Sequence, residues 1–344
     1  MSQVDEKMDE LAQADDEIIS QLDQDQDVDK HNSDADQLIG AKPQLPVMPG
    51  ESTDPDDSYR FLCHNSIGSI ALRSDVGVKC IEIDFANKTF HKNLVIEDQI
   101  DTKIAVLGLN GAFIASKAAE LDLDQYEDDV NQMKYISQYK FIPFKNWNSI
   151  EQWSGKLPKG ESVDCAAIGS SWCWLATDSN YIRFFSLEGI QTFILSYSLS
   201  IAALVAYENL LCIISHSGLP VIGSQNLKMK IIDVSAFYKT VVETEVALSP
   251  FSTLLWANFS DEGQLFTYDS EGVVRAFSFA MGQNWIPVLD LKGKNEISPE
   301  KFRIVSITGN EILSVVLYNK TSPDETDKNK IQTFKFSIPF LVSR

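Results

Sequence analysis

The feature that most limits the fold is the spacing of apolar runs across residues 167–197, which read AIGSSWCWLATDSNYIRFFSLEGIQTFILSY. Trp172-Cys173-Trp174-Leu175-Ala176, Ile182-Arg183-Phe184-Phe185 and Phe193-Ile194-Leu195 are separated by Asp178-Ser179-Asn180 and by Leu187-Glu188-Gly189. Each run is too short for a helix and is rich in aromatic and β-branched residues. The gaps hold turn formers, so the stretch reads as an antiparallel meander. The same pattern continues through the body. Asn110-Gly111, the strongest short hairpin turn, lies between the runs 104–107 and 112–115. Runs at 254–259, 264–268, 273–279 and 285–291 form another complete set of four, and no segment after residue 58 shows a helical period. One turn recurs. Asn65-Ser66-Ile67-Gly68 aligns with Asp269-Ser270-Glu271-Gly272, and His216-Ser217-Gly218 and Asp178-Ser179-Asn180 are degenerate copies. Asn, Asp and Ser accept backbone bonds in such turns and Gly supplies positive φ. Repeated four-strand units of about 40–50 residues predict an all-β chain folded as a β-propeller. Spacing alone fits six or seven blades.

Charge divides the chain. Residues 1–58 carry 17 of the 49 acidic side chains against 3 lysines, and no aromatic residue precedes Tyr59. With so little to bury, residues 1–58 are expected to be a disordered acidic tail ending in a Pro-containing linker, with the propeller spanning 59–344. Within the tail, Asp15, Asp16 and Glu17 precede Ile18, Ile19 and Leu22 at helical spacing. That arrangement suits a short docking helix for a partner groove; the plainer reading is a transient acidic helix without a ligand. Pro43, Pro46, Pro49 and Pro55 predict an extended linker.

The search for chemistry returns little. The 5 cysteines have no metal-type spacing and read as buried thiols. Cys63 and His64 are adjacent in a strand and point to opposite faces, so they do not share a metal. Ser215-His216-Ser217 lacks triad geometry, and neither GxSxG nor a phosphate-binding glycine loop occurs. No catalytic, cofactor or metal residue is therefore expected. There is no signal peptide and no apolar run long enough to span a membrane as a helix, so an intracellular chain without a membrane partner is expected. A net charge of −20 without a basic run argues against phosphate-backbone binding. Lys228, Lys230 and Lys239 read better as a solvated strand edge than as a basic patch. Arg183 reads better as a structural bond to a neighbouring blade than as a binding residue, and Trp172 and Trp174, two apart, should share a face packed between blades.

Three segments together resemble one family. They are Arg60-Phe61-Leu62-Cys63-His64-Asn65-Ser66-Ile67-Gly68; Gly169 with Trp172, Ala176-Thr177, Ile182-Arg183, Phe185 and Gly189; and Asp269-Ser270-Glu271-Gly272-Val273-Val274-Arg275 with Gly282, Trp285 and Pro287. Their order and separation are similar to the second propeller of the chromosome-transmission-fidelity, or minichromosome-loss, family of replisome adaptors. The resemblance spans residues 59–340. It implies a six-bladed propeller that trimerises, a nuclear location, and roles on chromatin in DNA replication and sister-chromatid cohesion. Full-length members carry a preceding WD40 propeller and acidic linker. A following helical bundle captures acidic–apolar helices of DNA polymerase alpha–primase and of the helicase complex. Neither flanking domain lies within these 344 residues, so scaffold assembly rather than direct bridging is what the resemblance implies for them. The matched residues are turn and core positions, and no family binding residue carries over. Residues 15–22 resemble the captured helices and are expected to dock on such a bundle. The alternative function is a monomeric propeller docking peptides or ubiquitin-like partners, with a propeller hydrolase a distant third.

Overall fold

A computed structural model describes residues 42–51, 59–75, 77–89, 91–119, 136–144, 151–221, 224–292, 302–316 and 331–336. The proposed docking helix at Asp15–Leu22 lies outside them, as do the charged loop 122–130 and the polar loop 322–329.

Among the described residues, short β-branched and aromatic runs between turns give 23 strands in six antiparallel sheets, each in sequence order. Blade 1 contains β1 (Tyr59–His64), β2 (Gly68–Asp75), β3 (Val78–Phe85) and β4 (Leu94–Glu97). Blade 2 contains β5 (Thr102–Leu107), β6 (Gly111–Ser116), β7 (Gln138–Pro143) and β8 (Trp153–Lys156). The opening meander, with one more strand before it, is blade 3: β9 (Val163–Ile168), β10 (Trp172–Thr177), β11 (Tyr181–Ser186) and β12 (Gln191–Ser196). Blade 4 holds β13 (Ile201–Tyr207), β14 (Leu210–His216), β15 (Leu227–Asp233) and β16 (Lys239–Glu245). Blade 5 holds β17 (Leu254–Phe259), β18 (Leu265–Asp269), β19 (Val273–Ser278) and β20 (Asn284–Asp290). Blade 6 has three strands among the described residues, β21 (Phe302–Thr308), β22 (Glu311–Val316) and β23 (Ile331–Lys335). The blade count left open by spacing is therefore six, as the family resemblance implies.

The first strands of the blades line the centre. Each leaves one residue out of the ladder with its second strand: Leu62, Lys103, Asp164, Ala202, Leu255 and Val305. Such bulges bend a strand and increase its twist. The core is a set of layers between adjacent blades. One runs from Ile104 and Phe113 of blade 2 through Trp174 and Phe184 of blade 3 to Leu204 and Leu211 of blade 4. Others join blades 4 and 5, 5 and 6, and 1 and 2. Trp174 is fully buried and Trp172 packs half-buried on the same layer, as their shared face predicts.

Turns between first and second strands meet at one end of the disc, here the lower end. There a ring of hydrogen bonds passes from blade to blade. Asn65 Nδ2 donates to Leu107 O (2.8 Å), Asn110 Nδ2 to Ser170 O (2.7 Å), Ser170 N to Glu208 O (2.9 Å) and Tyr207 OH to Asp261 O (3.4 Å). Asp261 closes the circle. Its carboxylate accepts from Ser66 Oγ of blade 1 (2.8 Å) and Thr308 Oγ1 of blade 6 (2.6 Å). The guanidinium of Arg303 in β21 also sits 4.8 Å over the Phe61 ring in β1, joining the last blade to the first.

The turn alignment made from sequence is corrected here. Asn65–Gly68 joins a first strand to a second at the lower end, whereas Asp269–Gly272 joins a second to a third at the upper end. His216–Gly218 and Asp178–Asn180 occupy the upper position too. The alignment arose from shared local chemistry. Asn65 Oδ1 accepts from the amides of Ile67 (3.0 Å) and Gly68 (3.2 Å), and Asp269 Oδ1 from those of Glu271 and Val273 (both 3.1 Å).

Candidate interaction surfaces

The centre of a propeller is its usual place for a ligand, and in this chain residues 42–51 lie against the inner strands there. Residues 42–48 form neither helix nor strand and pack against the inner strands, and the chain turns at Pro49–Gly50. Gln44 is fixed at the upper end by three bonds: its amide to Gln225 Oε1 (3.1 Å), its Nε2 to Leu254 O (3.1 Å), and its Oε1 from Leu254 N (2.9 Å). Val47 N donates to Ala202 O at the bulge of β13 (2.8 Å), and Met48 is buried in the layer with Ile104 and Val163. Gly50 has φ +80°, and a Cβ there would lie 2.3 Å from the backbone N of His64, so only glycine passes this point. Glu51 then pairs with Arg60.

Beside this strap lies a cavity of about 260 Å³ lined by Pro46, Met48, Glu51, Arg60, Lys103 and Asp164, with Ile104 and Lys117. Burial raises the Glu51 carboxyl above its usual range despite Arg60, and burial likewise raises Asp164. Among the described residues no group of three or more His, Cys, Asp or Glu side chains is placed to hold a metal. The five cysteines are free, and burial pushes the Cys63 thiol up to about 12 and those of Cys165, Cys173 and Cys212 upward as well, away from the reactive thiolate.

The residues singled out from the sequence are spread over three blades, the first, third and fifth, and they do not converge on one pocket. Arg60 borders the central cavity, Phe61 lies under Arg303, and Asn65 and Gly68 form the lower turn of blade 1. Arg183 is engaged by Glu161 on the connection leading into its own blade, Nε to Oε1 at 2.7 Å and Nη2 to Oε2 at 2.5 Å; those bonds raise its pKa. Gly189 turns at φ +89° against the Trp153 ring of blade 2. Trp172 packs on the layer of blade 3. Asp269 is fully buried. Burial alone would raise its pKa, but bonds from Arg275 and from the Ser249 and Val273 amides lower it. Arg275 Nη2 also reaches Ser249 Oγ (2.8 Å), Ser270 Oγ accepts from Thr253 N (3.0 Å), and Gly272 closes the turn at φ +89°. Glu271 pairs with Lys292 at 2.6 Å, and Trp285 Nε1 donates to Glu245 O of blade 4 (2.9 Å). Most of these contacts hold a turn or join one blade to the next; Arg60 binds the strap, and Arg183 binds the approach to its own blade rather than a neighbouring blade as expected.

The surface that sequence reasoning missed is the outer rim of blade 3. β12 is the outermost strand of its sheet and bonds only to β11. Its sequence, QTFILS, has no charged residue and no proline, and Phe193 and Ile194 are exposed. Natural sheets blunt such edges with charge or proline. The other outer strands do so: Glu97 in β4, Lys156 in β8, Lys239 and Glu243 in β16, Pro287 and Asp290 in β20. The turn between β15 and β16 extends the patch. Tyr238 stacks on Phe193 at 4.6 Å between ring centroids, and Phe237 stands 96 % exposed. A second exposed apolar group lies at the upper end of blades 4 and 5, where Leu45, Leu219, Val221 and Phe251 are gathered around Gln225 and Ser224. The uncharged run at 191–196 was in view in the sequence; its place at a free edge was not.

A six-bladed propeller with its own strap at its centre, without a metal cluster among the described residues and with uncharged patches on its outside, has the form of a protein-interaction scaffold. A family model, minichromosome loss protein Mcl1 middle region, matches residues 45–340, and the chain belongs to that family. It is 29 % identical over 306 residues to Protein ENHANCER OF LHP1 1 of Arabidopsis thaliana, covering 88 % of this chain and 30 % of that protein. It is 28 % identical over 313 residues to minichromosome loss protein 1 of Schizosaccharomyces pombe (88 % and 36 %), and 23 % over 300 residues to WD repeat and HMG-box DNA-binding protein 1 of Homo sapiens (86 % and 25 %). The chain thus spans roughly a third of the length of these curated relatives.

Proposed function

We propose that this chain is a non-enzymatic, self-associating hub of a DNA-replication adaptor in the nucleus, and that three copies form the working unit. The observation that carries the reading is the family match over almost the whole propeller, joined to a central channel partly occupied by the chain's own strap. The strap takes up part of the channel and leaves a small cavity beside it, while rims and turns stay open for partners. DNA polymerase alpha–primase and the helicase complex, on chromatin, are the partners this reading assigns to the assembled adaptor rather than to the propeller alone.

Two measurements test it. Light scattering of the chain at micromolar concentration should give three times the monomer mass of 38.5 kDa; a strict monomer favours the single-propeller docking module instead. Cross-linking of tagged chain in replicating nuclei should recover polymerase alpha–primase and helicase subunits. Their absence from an otherwise productive recovery overturns the replication assignment.

A further inference from the structure

We infer that the seam between the last blade and the first binds one small oxyanion, a phosphate or a carboxylate of like size, on the guanidinium of Arg303 with His64 beside it. Three observations on the molecule point to this site.

The first is an unclaimed buried charge. Arg303, in β21, is 8 % exposed, and its Nε and Nη1 are buried with no hydrogen-bond partner among the described residues. Folded proteins pair their buried charges, because an isolated one is strongly unfavourable. The other orphaned buried atoms belong to neutral groups, or to Arg60, whose Nη2 already holds Glu51. Burial alone pushes the Arg303 guanidinium down to about 10, with no carboxylate near enough to hold it up. It is still charged at neutral pH, and the described residues supply no counter-charge.

The second is the company Arg303 keeps. Its guanidinium lies 4.8 Å over the Phe61 ring, and His64 stacks on the same ring at 5.7 Å between centroids. His64 Nδ1 is likewise buried without a partner. Burial, and secondarily Arg303, hold this imidazole neutral at pH 7, so it can donate one hydrogen bond without adding charge. The cluster therefore offers donors from two blades and no acid. That is the complement of an oxyanion, whose several oxygens accept and whose shape suits the arginine fork. A cationic or apolar ligand would leave the guanidinium as unpaired as before.

The third is where the cluster sits. Apolar layers join blades 1 and 2, blades 2 to 4, blades 4 and 5, and blades 5 and 6; among the described residues none joins blade 6 to blade 1. That junction is held by Asp261 with Ser66 and Thr308, and by Arg303 on Phe61. An anion seated between β21 and β1 adds bonds where the apolar layer is missing, so it should stabilise the closed ring. With so little of Arg303 exposed, the site admits one small group and not the backbone of a nucleic acid.

The test uses the full chain and scanning fluorimetry at pH 7 and fixed ionic strength. Replacing chloride by millimolar phosphate should raise the thermal midpoint by about 2–4 °C and saturate with concentration. Acetate is the second arm, and whichever anion acts at the lower concentration identifies the ligand group as phosphate or carboxylate. Arg303→Met removes the charge and keeps most of the bulk, a change that folds tolerate at buried unpaired charges, and it should abolish both shifts. It also subtracts the general stabilising effect of phosphate on any fold. His64→Leu should raise the half-saturating concentration roughly tenfold, the loss of one hydrogen bond. If Arg303→Met does not fold, Arg303→Lys keeps the charge and assigns the parent's Arg303 Nε–H signal by NMR; that signal should move as phosphate is added. Equal shifts in parent and Arg303→Met, a parent indifferent to both anions, or a fixed Nε–H signal overturns the site. An unchanged half-saturation in His64→Leu overturns the part given to His64 and leaves Arg303 standing.

Discussion

The inner and outer edges of the blades meet the same physical problem in opposite ways. A first strand and a last strand each have one side without a neighbour in their own sheet. At the centre that side is sealed from within: the strap bonds to Ala202 and Leu254, buries Met48, and presses Gly50 against His64. At the circumference sealing is left to composition. β16, KTVVETE, carries three charges along seven residues, and Glu243 pairs with Lys230 of the neighbouring strand at 3.2 Å. β12, one blade away, carries none. The centre is therefore where stability resides, and the circumference is where association is permitted or refused.

The largest expected effect breaks the inner seal. Met48→Asp places an unpaired carboxylate in the layer with Ile104 and Val163 and should cost about 3–5 kcal/mol, a fall of roughly 10 °C in the thermal midpoint. A midpoint within two degrees of the parent, by scanning calorimetry, would show that the strap is only laid on the surface.

A smaller effect comes from pH. Burial, and secondarily the charge of Arg303, push the His64 imidazole from 6.5 down to about 4. A base whose folded pKa is depressed takes up its proton on unfolding. Its contribution is therefore complete above about pH 6.5 and is lost as pH falls toward 4. The loss amounts to on the order of 2–3 kcal/mol at the acid limit. Chemical denaturation at pH 7 and pH 4.5 should show His64→Gln losing less stability between the two than the parent. Equal losses would place the acid sensitivity elsewhere.

The smallest effect on stability sharpens the outer half of the comparison. Replacing Lys239 and Glu243 by Thr should leave the unfolding free energy within about 0.5 kcal/mol, since exposed ion pairs contribute little. Glu245 would then be the one charge left on the blade 4 edge, and the chain should gain a new, concentration-dependent self-association. An unchanged sedimentation profile would mean that charge is not what keeps that edge single.

The fold was legible because its cues are local. Asn110-Gly111, the upper turn at Asp269–Gly272 and the alternation of short apolar runs each specify a hairpin without reference to distant residues. The same locality misled the alignment of Asn65 with Asp269, since identical turn chemistry serves both ends of a blade. What could not be read depends on sheet order and long-range approach. Prolines announced an extended stretch at 43–49, but nothing in them says that Met48 enters the core or that Gln44 meets Leu254, 210 residues away. The run at 193–195 read as a strand, yet only its outermost position turns an uncharged sequence into a sticky edge. Arg183 read as a structural bond, but its partner Glu161 lies on the approach to its own blade rather than on a neighbouring one.

The strap also sets a geometry for everything before it. Gln225 Nε2 holds Lys42 O at the upper end of the disc, so the 41 preceding residues hang from one fixed point rather than from the start of β1. Whatever shape they take, none can lie farther from that point than about 140 Å, the fully extended length. The acidic tail is thus a leash of known origin. A partner that grips it anywhere along its length is held within that radius of the disc, with the exposed Leu45 at its root.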